Sequence, residues 1–109
     1  MNAEFAGSLR EQISIERPTT DRTSAGLWLA QWQTVLRCRA AIQPEGVGPE
    51  SEGMALSAMP RFRVTIRRRA EVTIDHRVLW RGRALAVRQI IDDPRLPDRL
   101  ILRCEEVRP

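Results

Sequence analysis

The sequence predicts an all-β domain: a small β-barrel or sandwich of about five to seven short strands, with one long loop over residues 45–60 that has room for a short helix. Three observations carry that expectation. Apolar and polar residues alternate at a period of two in several segments. Clusters of Gly, Pro and Asp punctuate those segments, and none carries the 3.6-residue periodicity of a long helix. The length, 109 residues, suits one domain spanning 1–109, with residues 1–8 as a flexible N-terminal segment.

In "EQISIERP", Ile13 and Ile15 face inward while Gln12, Ser14 and Glu16 face outward. Pro18 has no N–H for a ladder, so it ends this strand or leaves it on a sheet edge. The turn-rich "TTDRTSAG" follows, its Gly26 suited to a positive φ. "LWLAQWQTVLRCRAAIQP" is long for one strand and is expected to break near Gln33–Thr34 or bend through a bulge, with Pro44 closing it. In "EGVGPESEGMALSAMP", Gly46, Gly48, Pro49 and Gly53 argue against regular structure in the first half, and "SEGMALSAM" is compatible with a short helix. A segment of that length between strands is usually functional or disordered.

"RFRVTIRRRAE" splits at a period of two. Arg61, Arg63, Thr65, Arg67 and Arg69 fall on one face, and Phe62, Val64 and Ile66 on the other. This is an amphipathic strand whose arginine row faces solvent, a protein partner or DNA. "RVLWRGRALAVRQIID" reads as a hairpin turning at Arg81-Gly82, with Val78, Trp80, Leu85 and Val87 as core contributors. "DDPRLPDR" is a second turn, and "LILRCEEV" is the last strand, with Ile101 at its centre.

Composition narrows the function classes. The chain has 18 basic residues, all arginine, against 14 acids, for a net charge of +4. That balance permits an anionic partner without requiring one. "MNAEFAGSLREQ" lacks the apolar run of a signal peptide, and no stretch reaches the roughly 20 apolar residues of a membrane span, so a cytosolic protein, or one assembled from the cytosol, is expected. Cys38 and Cys104, each between charged residues, are expected to be reduced and inward-facing.

No catalytic set emerges. His76 and Asp75 are neighbours on opposite faces, and the histidine is expected at the surface. Two cysteines and one histidine lack metal-ligand spacing, so no metal and no cofactor is expected. The pairs Glu50/Glu52, Asp92/Asp93 and Glu105/Glu106 read as solvated surface. "GVGPESEG" lacks the Gly-Lys-Ser/Thr of a phosphate loop. The arginine row has no interleaved aromatic for base stacking. Trp28 and Trp32 share a strand face and read as core or subunit-interface residues.

Taken in order, "GSLREQISIERP", the turn at Gly26 with Trp32 after it, "RCRAAIQPEGVGPES", "FRVTIRRRAEVTIDHRVLWRGRALAVRQIID" and "LILRCEE" resemble the tailed-phage head–tail joining family of head-completion or stopper proteins. The resemblance runs from about Gly7 to Glu106. Departures are Leu85 and Ala86, where the family commonly has an aromatic, and the poorly matched stretch from Val47 to Met59.

The resemblance implies a small β-barrel forming a homo-oligomeric ring, of about six or twelve subunits, below the portal and its adaptor. Such a ring retains packaged double-stranded DNA without reading its sequence, and docks the tail-terminator or tail tube. It also implies a virion or phage-like particle, a gene-transfer particle included, as the protein's location. On this reading Arg61, Arg63, Arg67 and Arg69 line a subunit, adaptor or DNA-channel face. Glu45, Gly46, Gly48, Glu50, Glu52 and Gly53 belong to a channel or docking loop, and Trp28 and Trp32 to a subunit interface. Alternatives are a tail-terminator ring protein and a free-standing nucleic-acid-binding β-barrel.

Overall fold

Alternation of apolar side chains turns six segments into strands that share one interior. The computed structural model describes residues 3–22, 28–48, 59–69 and 72–107. A short helix, α1 (Ala3–Ser8), precedes β1 (Glu11–Arg22), β2 (Trp28–Gly48), β3 (Met59–Arg67), β4 (Arg77–Trp80), β5 (Arg83–Ile91) and β6 (Arg99–Glu106). All neighbours are antiparallel, and the strands close in the order β1-β2-β3-β6-β5-β4. The all-β class expected from the sequence is observed, and of the two architectures expected, barrel or sandwich, the strands form the barrel.

Each strand contributes to the core through alternate residues. Ile15, Val64, Ile66, Val78, Leu85 and Leu102 are wholly buried, and Phe62 meets Trp80 edge to face at 5.4 Å between ring centroids. The inward set on β3 is Phe62, Val64 and Ile66, as the alternation requires. On β6 the inward residues are Leu100, Leu102 and Cys104, which leaves Ile101 on the outer side. Both cysteines are free; Cys104 is buried and Cys38 half-buried.

Closure rests on a short seam. β4 meets β1 only through Ser14↔Leu79, Ile15↔Val78 and Glu16↔Arg77. Ile15 and Val78 fill the inside of the seam. On the outside, Glu16 keeps its outward phase but is only 8% exposed, because Arg77 Nε donates to its carboxylate at 2.7 Å. Arg77 in turn lies 4.2 Å over the Trp32 ring. The outward Glu16 of the sequence reading is therefore one half of a covered ion pair.

Beyond the seam, residues 17–22 of β1 and 28–33 of β2 pair, among the described residues, only with each other, a two-stranded ribbon running off the barrel. Pro18 sits there opposite Trp32, on a strand edge with no β4 beside it, so its missing donor costs nothing. β2 does not break near Gln33. It bulges at Val35, where Ile15 faces Leu36 but Glu16 faces Thr34.

Further expectations are corrected. Pro44 does not close β2: the strand passes through it to Gly48, with a second irregularity between Pro44 and Val47. Gly46 takes φ 83° there, so its left-handed backbone serves a bulge within a strand rather than a loop. Residues 45–48 and 59–60 of the expected loop are therefore strand, and residues 49–58, with the expected helix in "SEGMALSAM", lie outside the described residues. Within the N-terminal segment, residues 3–8 form α1: Phe5 is 4% exposed and carries Arg99 at 3.9 Å over its ring. Finally, His76 is buried rather than at the surface, its Nδ1 accepting the Thr73 N–H at 3.0 Å.

The β4–β5 turn is as read from the sequence. Arg81 (φ 50°) and Gly82 (φ 76°) are both left-handed, which defines a two-residue primed turn. Arg81 tolerates the conformation while its guanidinium reaches Glu11 at 2.9 Å. A Cβ at Gly82 would meet open space, so Gly82→Val isolates the backbone cost and should destabilise the protein by about 1–3 kcal/mol in urea unfolding. Arg77→Ala strands the buried Glu16 carboxylate and should cost roughly 3 kcal/mol by the same measurement. A loss near zero would show that the seam does not need the pair.

Candidate functional site

The outer face of the β2–β3–β6 sheet gathers arginines from three strands. Alternation turns Arg37 and Arg39 of β2 outward, with Arg61, Arg63 and Arg67 of β3 and Arg99 and Arg103 of β6; Arg69 follows just past β3. The register then sets like charges directly opposite, Arg63↔Arg103 and Arg67↔Arg99. Such pairs destabilise a sheet unless a counter-charge intervenes.

At one end of the face the counter-charges are supplied. Glu45 accepts from Arg63 (Nε 3.1 Å, Nη2 3.0 Å) and from Arg103 (Nε 3.3 Å), so one carboxylate bridges the facing arginines. The bulge at Gly46 is what delivers it there. Glu105 does the same between Arg88 at 3.2 Å and Arg61 at 3.9 Å. Arg99 pairs with Asp98 at 3.0 Å. Arg68 and Asp92 form a further ion pair, which ties the end of β3 to the turn after β5.

A cleft of about 290 Å³ opens among Glu45, Arg61, Arg88, Gln89, Arg103 and Glu105, with Cys104 at its floor. Burial, and secondarily the Glu45 carboxylate, push the Cys104 thiol up to about 12. Glu45, expected in a channel loop, is instead a half-buried strand residue that clamps the arginine row. Glu105, expected to be solvated, works as a second clamp.

The other end differs. Arg37, Arg39 and Arg69 make no ion pair with a carboxylate among the described residues. Together with Arg67 they ring a second cleft, of about 220 Å³, whose floor is Cys38 and whose apolar wall is Ala6 and Leu9. Burial raises the Cys38 thiol, and the nearby Arg69 charge pulls it partly back. The "RCR" spelling on β2 carried this cluster in plain sight: residues flanking an inward cysteine must point outward, beside the β3 arginines.

The aromatic candidates separate as well. Trp32 is 41% exposed on the ribbon, with Val35, also exposed, at the bulge beside it; Trp32 is not a core residue. The side chain of Trp28, and Glu50, Glu52 and Gly53, lie outside the described residues. Among the described residues no group of three or more His, Cys, Asp or Glu is placed to hold a metal ion, and no helix is long and apolar enough to cross a membrane.

Two outcomes follow from this geometry. Glu45→Gln should lower stability by about 0.5 kcal/mol, since its arginines are partly exposed, and the loss should shrink in about 1 M salt as the Arg63–Arg103 repulsion is screened. A salt-independent loss would mean that packing, not charge, is what Glu45 supplies. In the native protein at about pH 8, iodoacetamide should label Cys38 slowly and leave Cys104 unmodified, as read by mass spectrometry. Equal labelling of the two would contradict the burial of Cys104.

Comparison with known proteins is consistent with this architecture. A chain from the virion of a native gene transfer agent particle superposes with a TM-score of 0.67 at 16% identity, covering 91% of this chain and 96% of that one. The solution structure of protein SF1141 from Shigella flexneri 2a superposes with a TM-score of 0.66 at 24% identity, covering 97% and 96%. Both likenesses speak to the fold. No curated protein sequence matches. The family model described as phage head completion protein matches residues 6–107, nearly the whole chain, and the protein belongs to that family, a structural component of a phage-type virion with a role at the junction of head and tail.

Proposed function

We propose that the protein is a head–tail connector of the stopper type: a homo-oligomeric ring below the portal and adaptor that retains packaged DNA and receives the tail. The observation that carries this reading is the family match over residues 6–107 on a closed barrel. The gene transfer agent virion chain, similar across 91% of this one, is a particle component and supports the same assignment.

The barrel has features that suit a ring subunit. Its sheet closes on itself, so the barrel wall offers few edges for indiscriminate pairing. The β1–β2 ribbon pairs with no third strand among the described residues and presents Trp32 and Val35 outward. A two-stranded ribbon is marginal alone and gains from a neighbour, and an exposed tryptophan is a common anchor in subunit contacts. In this reading Trp28 and Trp32 meet the adjacent subunit. The arginine face, Arg61 to Arg69, meets a subunit, the adaptor or passing DNA. A ring multiplies each weak contact by its subunit number.

The role is structural rather than enzymatic. Around the barrel, arginine–carboxylate pairs such as Arg63–Glu45 and Arg77–Glu16 hold strands in register, a structural use of charge that suits this reading.

Deletion of the gene followed by electron microscopy tests the proposal. The expected particles are unjoined heads, many having lost DNA, beside separate tails. Complete and infectious or transfer-competent particles would overturn it. The protein found on free tails but never on filled heads would make it a tail terminator instead.

A further inference from the structure

We infer that the cleft between α1 and the arginine face, ringed by Arg37, Arg39, Arg67 and Arg69, binds an acidic peptide segment of a partner protein that carries apolar residues beside its carboxylates. Three features of the cleft point there.

The first is charge. Elsewhere on this face the arginines are answered from within the chain: Arg61 by Glu105, Arg63 and Arg103 by Glu45, Arg99 by Asp98. Arg37, Arg39 and Arg69 are not, among the described residues, and they converge on one cleft. Gathering like charges around a concavity raises the local potential, and a bound anion relieves it. Guanidinium forks present paired donors that match a carboxylate two bonds at a time.

The second is the wall. Ala6 and Leu9, held by the packing of α1 and Phe5 on the barrel, make one side apolar, and the half-buried Cys38 makes the floor. A wall of this kind has nothing to offer a phosphate, but it does offer contact area to an aliphatic side chain.

The third is extent. A cleft of about 220 Å³ accommodates one or two side chains. Duplex DNA offers phosphates on a broad convex surface and calls for a continuous basic stripe. Here the stripe is interrupted, because the carboxylates of Glu45 and Glu105 neutralise its other end. A local, concave, half-apolar basic site fits an acidic–apolar peptide better than a nucleic-acid backbone. The chemistry of the cleft does not depend on where in a particle the chain sits, so this inference stands or falls apart from the connector reading.

The test uses the purified full-length chain and three fluorescein-labelled probes: a short peptide alternating aspartate with leucine, the same peptide with asparagine for aspartate, and a DNA duplex. Anisotropy reports binding. The rate of Cys38 alkylation by iodoacetamide reports occupancy of this cleft in particular. The acidic peptide should bind, slow Cys38 alkylation several-fold, and lose about tenfold in affinity with Arg37→Gln and Arg69→Gln combined. Arg63→Gln should leave its affinity unchanged, and circular dichroism should show both variants folded. Equal binding of the asparagine peptide would overturn the inference by removing charge from it. Protection of Cys38 by the duplex and not by the acidic peptide would overturn it in favour of nucleic acid. Absence of binding by all three probes at low salt would overturn it outright.

Discussion

The barrel depends on three residue pairs. Most of its circumference is held by long ladders, but β4 is a four-residue strand that joins β1 only at Ser14, Ile15 and Glu16. The inner side of that seam is Ile15 against Val78, both without solvent contact. The outer side is Glu16 with Arg77, the arginine stacked in turn on Trp32. Charge is used here where an apolar pair would also fit. One consequence is directional: a carboxylate–guanidinium pair fixes the register at the point where the ribbon leaves the barrel. The same arginine holds Trp32 in place, so barrel closure and the presentation of an exposed tryptophan are one arrangement.

The arginine-rich face follows from closure in a similar way. Once the interior takes every second residue, the remaining arginines of β2, β3 and β6 must share the outer surface, and antiparallel register sets some of them face to face. Two carboxylates then divide that surface. Glu45, brought in by the bulge at Gly46, and Glu105, on β6, turn one end into a network of cross-strand ties. At the other end, around Cys38, Arg37, Arg39 and Arg69 make no ion pair with a carboxylate among the described residues. A row that looks uniform in sequence is therefore part cross-strand scaffold and part rim of a basic cleft.

Much of this was legible from residue spacing. The period-two split of "RFRVTIRRR" gave β3 its buried and exposed faces, and Arg81-Gly82 gave the hairpin its turn. What spacing could not give were features decided by distant residues. Pro44 and Gly46 read as the end of a strand because each disfavours a regular ladder, yet β3 pairs across both and absorbs the irregularity as a bulge. Glu16 reads as solvated because its cover, Arg77, lies 61 residues away. His76 reads as exposed because the Thr73 turn that buries it is recognisable only once folded. The contact of Phe5 in α1 with Arg99 joins residues far apart in the chain, so no local pattern announces it.

Membership of the head completion family makes this closed, arginine-faced barrel a structural component of the head–tail junction. The most direct test is a reconstruction by electron cryomicroscopy of DNA-filled particles, computed without imposing a position for this chain. The account predicts density for the six-stranded barrel as a closed ring at the portal vertex, with the Trp32 ribbon against the adjacent subunit. Density for the barrel in the capsid shell or at the tail tip, with none at that vertex, would contradict it.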